Sequence, residues 1–308
     1  MRKVLFGWIL LMSLTFFYNF EQISVQAADN KIEQIQMEVF IHDDGSAKVK
    51  ETRLVDLYEG TENYIAFGNL GNAFIENFKV SEDGRAYETV DNWNLDASRE
   101  EKAFKSGIIE TAEGIELSWG IGEYGQHEYI LEYEITNFIK QLNDAQMLYW
   151  QFVNSNMDPP PENVSIEIEA NENFTQENTS IWMFGHLGAI QLSNGKIMAA
   201  THTPMTSNSY VVILTKFKNG MFQADDVIDQ SFTQVQNEAF VGSDYVVSDE
   251  MNEDVTDKKD AIVTTNQSQP EKPKQKQVEY DDDEEVNFGY YLKEIIAAIS
   301  HFFKSLFA

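Results

Sequence analysis

Residues 31–222 carry short runs in which buried-type and exposed-type positions alternate. Ile35, Met37, Val39 and Ile41 alternate with Gln36, Glu38 and Phe40, the period-two pattern of a strand with one buried face. His42-Asp43-Asp44-Gly45 follows as a turn, in which Asp-Gly supplies the positive φ of a tight hairpin. A second strand is predicted over 48–57. Others are predicted over 74–80, 86–90, 108–111, 115–121, 127–135, 164–170, 180–184, 189–192, 196–200 and 210–217. Asp83-Gly84, Glu113-Gly114, Asn194-Gly195 and Asn219-Gly220 punctuate them as turns. Many short strands at this spacing predict a mostly β chain, an antiparallel sandwich-like or barrel domain. No G-x-G-x-x-G follows a strand and no long helices alternate with strands, which argues against an α/β fold.

One stretch breaks the alternation. Residues 136–153, with Leu142, Gln146, Tyr149, Trp150 and Val153, read as helical or loop-like. They end before Pro159-Pro160-Pro161, which have no ladder donors to offer. These prolines mark a connector, so the β-rich domain over 28–222 divides into subdomains 31–155 and 160–222 that could share a core. Residues 223–245 form an extension with no clear pattern.

The two ends differ from this middle. Residues 1–27 read as a secretory signal peptide: Arg2 and Lys3, an apolar run over 4–17, then Val25-Gln26-Ala27 as a small-residue cleavage site. The alternative, an uncleaved anchor helix, has too short a run for a span of about 20 residues. Residues 246–288 are poor in large apolar side chains, and 246–289 hold 13 Asp/Glu against 5 Lys. Such a segment cannot bury enough apolar surface to offset its ordering entropy, and reads as an acidic disordered spacer.

Residues 289–308 regain a helical period. At 3.6 residues per turn, Leu292, Ile295, Ile296, Ile299, Phe302, Phe303, Leu306 and Phe307 fall on one apolar arc. Lys293, Glu294, Ser300, His301, Lys304 and Ser305 fall on the other. The charges rule out a spanning helix. An apolar face this large needs cover: a membrane interface, a partner helix or a groove on the β domain. The membrane is favoured, because Lys293 and Lys304 outweigh Glu294. The eight apolar residues are the predicted membrane- or partner-binding site.

Composition sharpens this picture. Of 308 residues none is cysteine, which excludes a disulfide framework, a thiolate zinc site and a Cys nucleophile. The net charge of −29 opposes nucleic acid, whose phosphates require clustered Lys and Arg. It also repels anionic lipid from the bulk of the chain. An exported, acidic, cysteine-free chain fits the surface of a Gram-positive bacterium.

Candidate chemistry is sparse. His42, His127, His186, His202 and His301 form no H-x-H or H-E-x-x-H pair, and read as surface or core-edge residues. No G-x-S-x-G occurs. Asp43/Asp44, Glu100/Glu101 and Asp225/Asp226 are common by chance in so acidic a chain. A glycosidase pair would need one acid in an apolar pocket. Asp281-Asp282-Asp283-Glu284-Glu285 lacks the spacing and glycine of a calcium loop. Trp93, Trp119, Trp150 and Trp182 read as core or core-edge aromatics before they read as a sugar-stacking face. No catalytic residue, cofactor or metal is assigned.

Three blocks resemble a known family. They are Ile35-x-Met37-x-Val39-x-Ile41-His42-x-Asp44-Gly45-x-x-x-Val49-x-Glu51; Trp119-Gly120-Ile121-Gly122 with His127-x-Tyr129-x-Leu131-x-Tyr133-x-Ile135; and Leu148-Tyr149-Trp150-Gln151-Phe152 with the prolines and Val164-x-Ile166. Together they resemble domain of unknown function 2207, a bacterial family of predicted membrane proteins, over about 31–222. The resemblance implies an exported β-rich domain outside the cell, with no established activity or catalytic residues. Family members typically continue into transmembrane helices, where this chain has an acidic spacer and one amphipathic helix.

The expected function is therefore a non-enzymatic module of the cell envelope, at the bacterial surface. Its β domain would bind an envelope polymer or protein, and its last helix would tether it to a membrane surface or membrane-protein partner. The alternatives are a secreted cell-wall glycan hydrolase, which would show two facing acids in a cleft, and an assembly subunit that self-associates through 289–308.

Overall fold

A computed structural model describes residues 29–241 except 69 and 113. All lie in the first of two compact units, Met1–Ser268. The strands are β1 (Lys31–Ile41), β2 (Ala47–Leu57), β3 (Glu62–Gly68), β4 (Ile75–Glu82), β5 (Arg85–Ala86), β6 (Glu88–Thr89), β7 (Lys105–Glu110), β8 (Gly114–Gly120), β9 (Gly125–Ile135), β10 (Lys140–Gln141), β11 (Gln146–Val153), β12 (Pro161–Ala170), β13 (Thr179–Phe184), β14 (Gly188–Ser193), β15 (Lys196–Thr201), β16 (Val211–Phe217) and β17 (Asp226–Val227). Two helices are described, α1 (Arg99–Lys102) and α2 (Phe232–Val241).

The strands form three sheets. An eight-stranded sheet has the order β14-β15-β12-β1-β2-β9-β4-β5, a five-stranded sheet β13-β16-β11-β10-β17, and a four-stranded sheet β3-β8-β7-β6. The large sheet makes one layer. The two smaller sheets pack on its inner face through one continuous core, which includes Ile35, Val39 and Leu131 from the first layer and Leu117, Leu148 and Ile213 from the second. On its other face the five-stranded sheet is covered by α2, where Phe232, Val235 and Ala239 meet Met147, Phe184 and Leu214.

Local chemistry explains the turns. Asp83 and Gly84 (φ 49° and 75°) and Asn194 and Gly195 (φ 52° and 78°) join their strands as two-residue loops. Both central residues take positive φ, as the twist of a tight hairpin requires.

The structure differs from the sequence expectation in three places. The 136–153 stretch is not helical: Gln146–Val153 is strand β11, paired with β16. Its alternation is masked because Leu148 and Phe152 enter the large core on one face while Met147 enters the layer under α2 on the other, with only Tyr149 and Gln151 exposed between them. Strand β3, paired along its length with β8, has no counterpart in the sequence reading. The sheets are mixed rather than purely antiparallel, because β1 and β12 run parallel from Ile32↔Pro161 to Ile41↔Ala170. Their separation in sequence supplies the long crossover that a parallel pair needs. Through β1/β12 and β11/β16, stretches 31–155 and 160–222 contribute to the same two sheets.

Candidate functional site

The positions of β2 that face the core are Ala47, Val49, Glu51, Arg53, Val55 and Leu57. Alternation thus carries two charged side chains inward with the aliphatic ones. Glu51 is fully buried and Arg53 is 5% exposed. Arg53 Nε donates to Glu51 Oε1, and its guanidinium lies 5.5 Å from the centroid of the Trp119 ring. The pairing register places Ile35, Arg53, Tyr129 and Glu82 in one row across the large sheet. The four-stranded sheet meets it with the row Asn63, Trp119 and Ser106.

This interface contains polar atoms without protein partners. They are Glu51 Oε2, His127 Nε2 and the Tyr129 hydroxyl from the large sheet, and Asn63 Nδ2, Trp119 Nε1 and Ser106 Oγ from the small one. Only Ser165 Oγ and Thr215 Oγ1 join them among the described residues. Buried polar groups are normally hydrogen-bonded, so six together mark a place with a special environment.

At the rim, His127 Nδ1 pairs with Glu82 Oε1. The Tyr87 hydroxyl donates to Glu82 Oε2 at 2.6 Å. The His127 ring stacks on Tyr129, with centroids 5.5 Å apart and planes 10° apart. Burial pushes the Tyr87, Tyr129 and Tyr133 hydroxyls well above the ordinary phenol range. The carboxylates nearby, Glu82 for Tyr87 and Tyr129 and Glu51 for Tyr133, add to the rise.

A second ionic hub lies on the four-stranded sheet. Lys102, 3% exposed, closes the one-turn helix α1, which Ser98 and Glu101 cap reciprocally. Its ammonium donates to Thr61 Oγ1 (3.1 Å), Glu62 Oε1 (3.1 Å) and Leu95 O (2.7 Å). Trp93 Nε1 donates to the other Glu62 oxygen. The hub ties segment 91–98 to β3. Gly120 lets it approach: a Cβ there would collide with the Lys102 carbonyl.

The residues singled out from sequence divide clearly. His127 is a core-edge residue paired with Glu82. His186 is buried, with Nδ1 at 3.1 Å from Ser209 Oγ and Nε2 at 2.9 Å from Thr203 O; it fastens the loop before β16. Trp119 is in the core, Trp150 packs on Phe67 and Phe138, and Trp182 lies against Phe232. With Trp93 held by Glu62, the four tryptophans make no common stacking face. The apolar arc of 289–308, from Leu292 to Phe307, lies outside the described residues. So do the segments read from sequence as a signal peptide and an acidic spacer.

Sequence reasoning missed Glu51, Arg53 and Lys102. A signal existed for the first two, since they share the parity of Val49, Val55 and Leu57. Lys102 gave none, because its burial depends on the segment folded over it.

The model of the predicted membrane protein (DUF2207) N-terminal domain matches residues 31–222. No curated protein matches the chain. Solved structures are similar only at low levels. Native yeast LTA4 hydrolase has 9% identity and a TM-score of 0.40, over 61% of this chain and 29% of its own. The M1 zinc metallopeptidase from Deinococcus radiodurans has 12% identity and a TM-score of 0.31, over 60% of this chain and 42% of its own. This chain spans less than half the length of either, and neither likeness bears on its activity.

Proposed function

The chain belongs to the family of predicted membrane proteins (DUF2207) whose N-terminal domain is residues 31–222, and on that premise we propose that it is a non-enzymatic binding module of the cell envelope. The β domain stands outside the cytoplasmic membrane, as a sandwich-like body that engages an envelope polymer or protein. The acidic spacer separates it from the helix at 289–308, whose apolar arc attaches to the membrane surface or to a membrane protein. Among the described residues no helix is long and apolar enough to cross a membrane.

One observation supports binding over hydrolysis. The carboxylates that the fold turns inward are already engaged: Glu51 by Arg53, and Glu82 by His127 and Tyr87. A glycosidase acid must instead face its substrate across a cleft.

Co-sedimentation with isolated cell-wall sacculi, with reducing sugar measured in the supernatant, tests the reading. Binding without sugar release supports it. Sugar release abolished by a single carboxylate substitution would replace it with the hydrolase.

A further inference from the structure

The two sheets of the second layer are attached by different chemistry. The five-stranded sheet is attached mainly through apolar side chains, and its own ion pair, Lys140–Asp226, joins its strands β10 and β17 to each other. Leu148, Phe152, Val211, Ile213 and Phe217 enter the large core, and Met147, Leu214 and Phe184 lie under α2. One polar atom there, Thr215 Oγ1, lacks a partner.

The four-stranded sheet carries a buried ion pair against each face, Glu51–Arg53 beneath Trp119 and Lys102–Glu62 beside Trp93. Its inward row of Asn63, Trp119 and Ser106 presents three unpartnered polar atoms, and Glu51, His127 and Tyr129 present three more opposite. Apolar surface gains free energy by leaving water, whereas an ion pair and orphaned polar atoms regain solvation when water returns. Separation of the four-stranded sheet therefore recovers hydration that separation of the five-stranded sheet does not.

We propose that the four-stranded sheet parts from the large sheet along this seam as one cooperative unit, admitting water to it, while the five-stranded sheet stays docked. The unit comprises β3, β6, β7 and β8 with α1. Its chain connections all lead to the large sheet, through 58–61, 69–74, Tyr87 and 121–124. A contact that opening must break is the bond from Asn154 Nδ2 to Ala66 O, which reaches it from the end of β11. The solvated state of Glu51 and Arg53 then belongs to an open form populated under native conditions, a conformational device separate from the binding reading above.

Native-state hydrogen exchange on the full chain tests this. Peptides covering 62–68 and 114–120 should exchange together, about tenfold faster or more than peptides covering 146–153 and 211–217, because sub-global units open at lower free energy than the global core. Equal exchange in the two sheets, or faster exchange in 211–217, would overturn the proposal. The double variant Glu51→Leu with Arg53→Met replaces the ions by apolar side chains. It should slow exchange at 114–120 and leave 211–217 unchanged; acceleration at 114–120 would count against the seam. Should that variant not fold, the comparison within the unaltered protein still decides.

Discussion

Glu51 and Arg53 leave β2 on the same side, two residues apart, and pair inside the core with 1% and 6% of their side chains exposed. Removing one partner strands the other charge in a low dielectric. Glu51→Gln should cost about 3–5 kcal/mol, whereas replacing both with apolar side chains should be neutral or stabilising by about 1–4 kcal/mol. Urea midpoints of the single and double variants check this. A single variant as stable as the parent would show that water already screens the pair.

Lys102→Met removes an ammonium with three acceptors. It leaves the Glu62 carboxylate with Trp93 alone at that hub. The expected loss is about 3 kcal/mol, accompanied by new cleavage within 91–98 in limited proteolysis. Unchanged resistance there would mean that the Trp93 ring, which lies close over Gly107, fastens the segment rather than the ammonium.

Acid should destabilise the domain through two aspartates. The Ser46 hydroxyl and amide hold Asp44 below its ordinary value of 3.8. Burial opposes the charge of Asp226, but bonds from Lys140 and Asn72 outweigh it and hold that carboxyl below 3.8 as well. A depressed native value means that the unfolded chain binds more protons in acid. The contribution is complete above the unfolded value and disappears as pH falls through the native one. Thermal midpoints measured downward from pH 5 should fall below about pH 4, and less so in Asp226→Asn. An equal slope in that variant would remove Asp226 from the account.

The amphipathic helix proposed for 289–308 makes its own prediction. Burying eight apolar side chains at roughly 1.5 kcal/mol each offers on the order of 10 kcal/mol gross, most of it spent in ordering a segment that is marginal alone. Ile299→Asp places a charge in the centre of the arc and should release the protein from liposomes. Lys293→Glu with Lys304→Glu should weaken binding to anionic liposomes alone, and less at high salt. A broken dimer with liposome binding intact would identify the arc as a protein contact.

Much of the β framework was legible because most strands have one wet face. Strand β9 alternates from Tyr129 to Ile135, and the strand read over 127–135 lies within its Gly125–Ile135 span. Strand β11 was hidden because its two ends are buried on both faces, leaving only Tyr149 and Gln151 exposed in its middle. Its Gln146, Tyr149, Trp150 and Val153 also fall at helical spacing. Strand β3 was hidden because its inward face begins with the polar Asn63. The polar seam was half legible. The parity of Glu51 and Arg53 shows that β2 turns charges inward, but only the stacking of a second sheet brings Trp119, Asn63 and Ser106 to meet them.

The domain is proposed to work outside the cytoplasmic membrane while attached to it. Fractionation of cells that make the full-length protein, combined with protease treatment of intact cells, tests it most directly. The account predicts recovery in the membrane fraction and digestion of residues 29–241 from outside. A protein found in the cytosol and protected until lysis would contradict it.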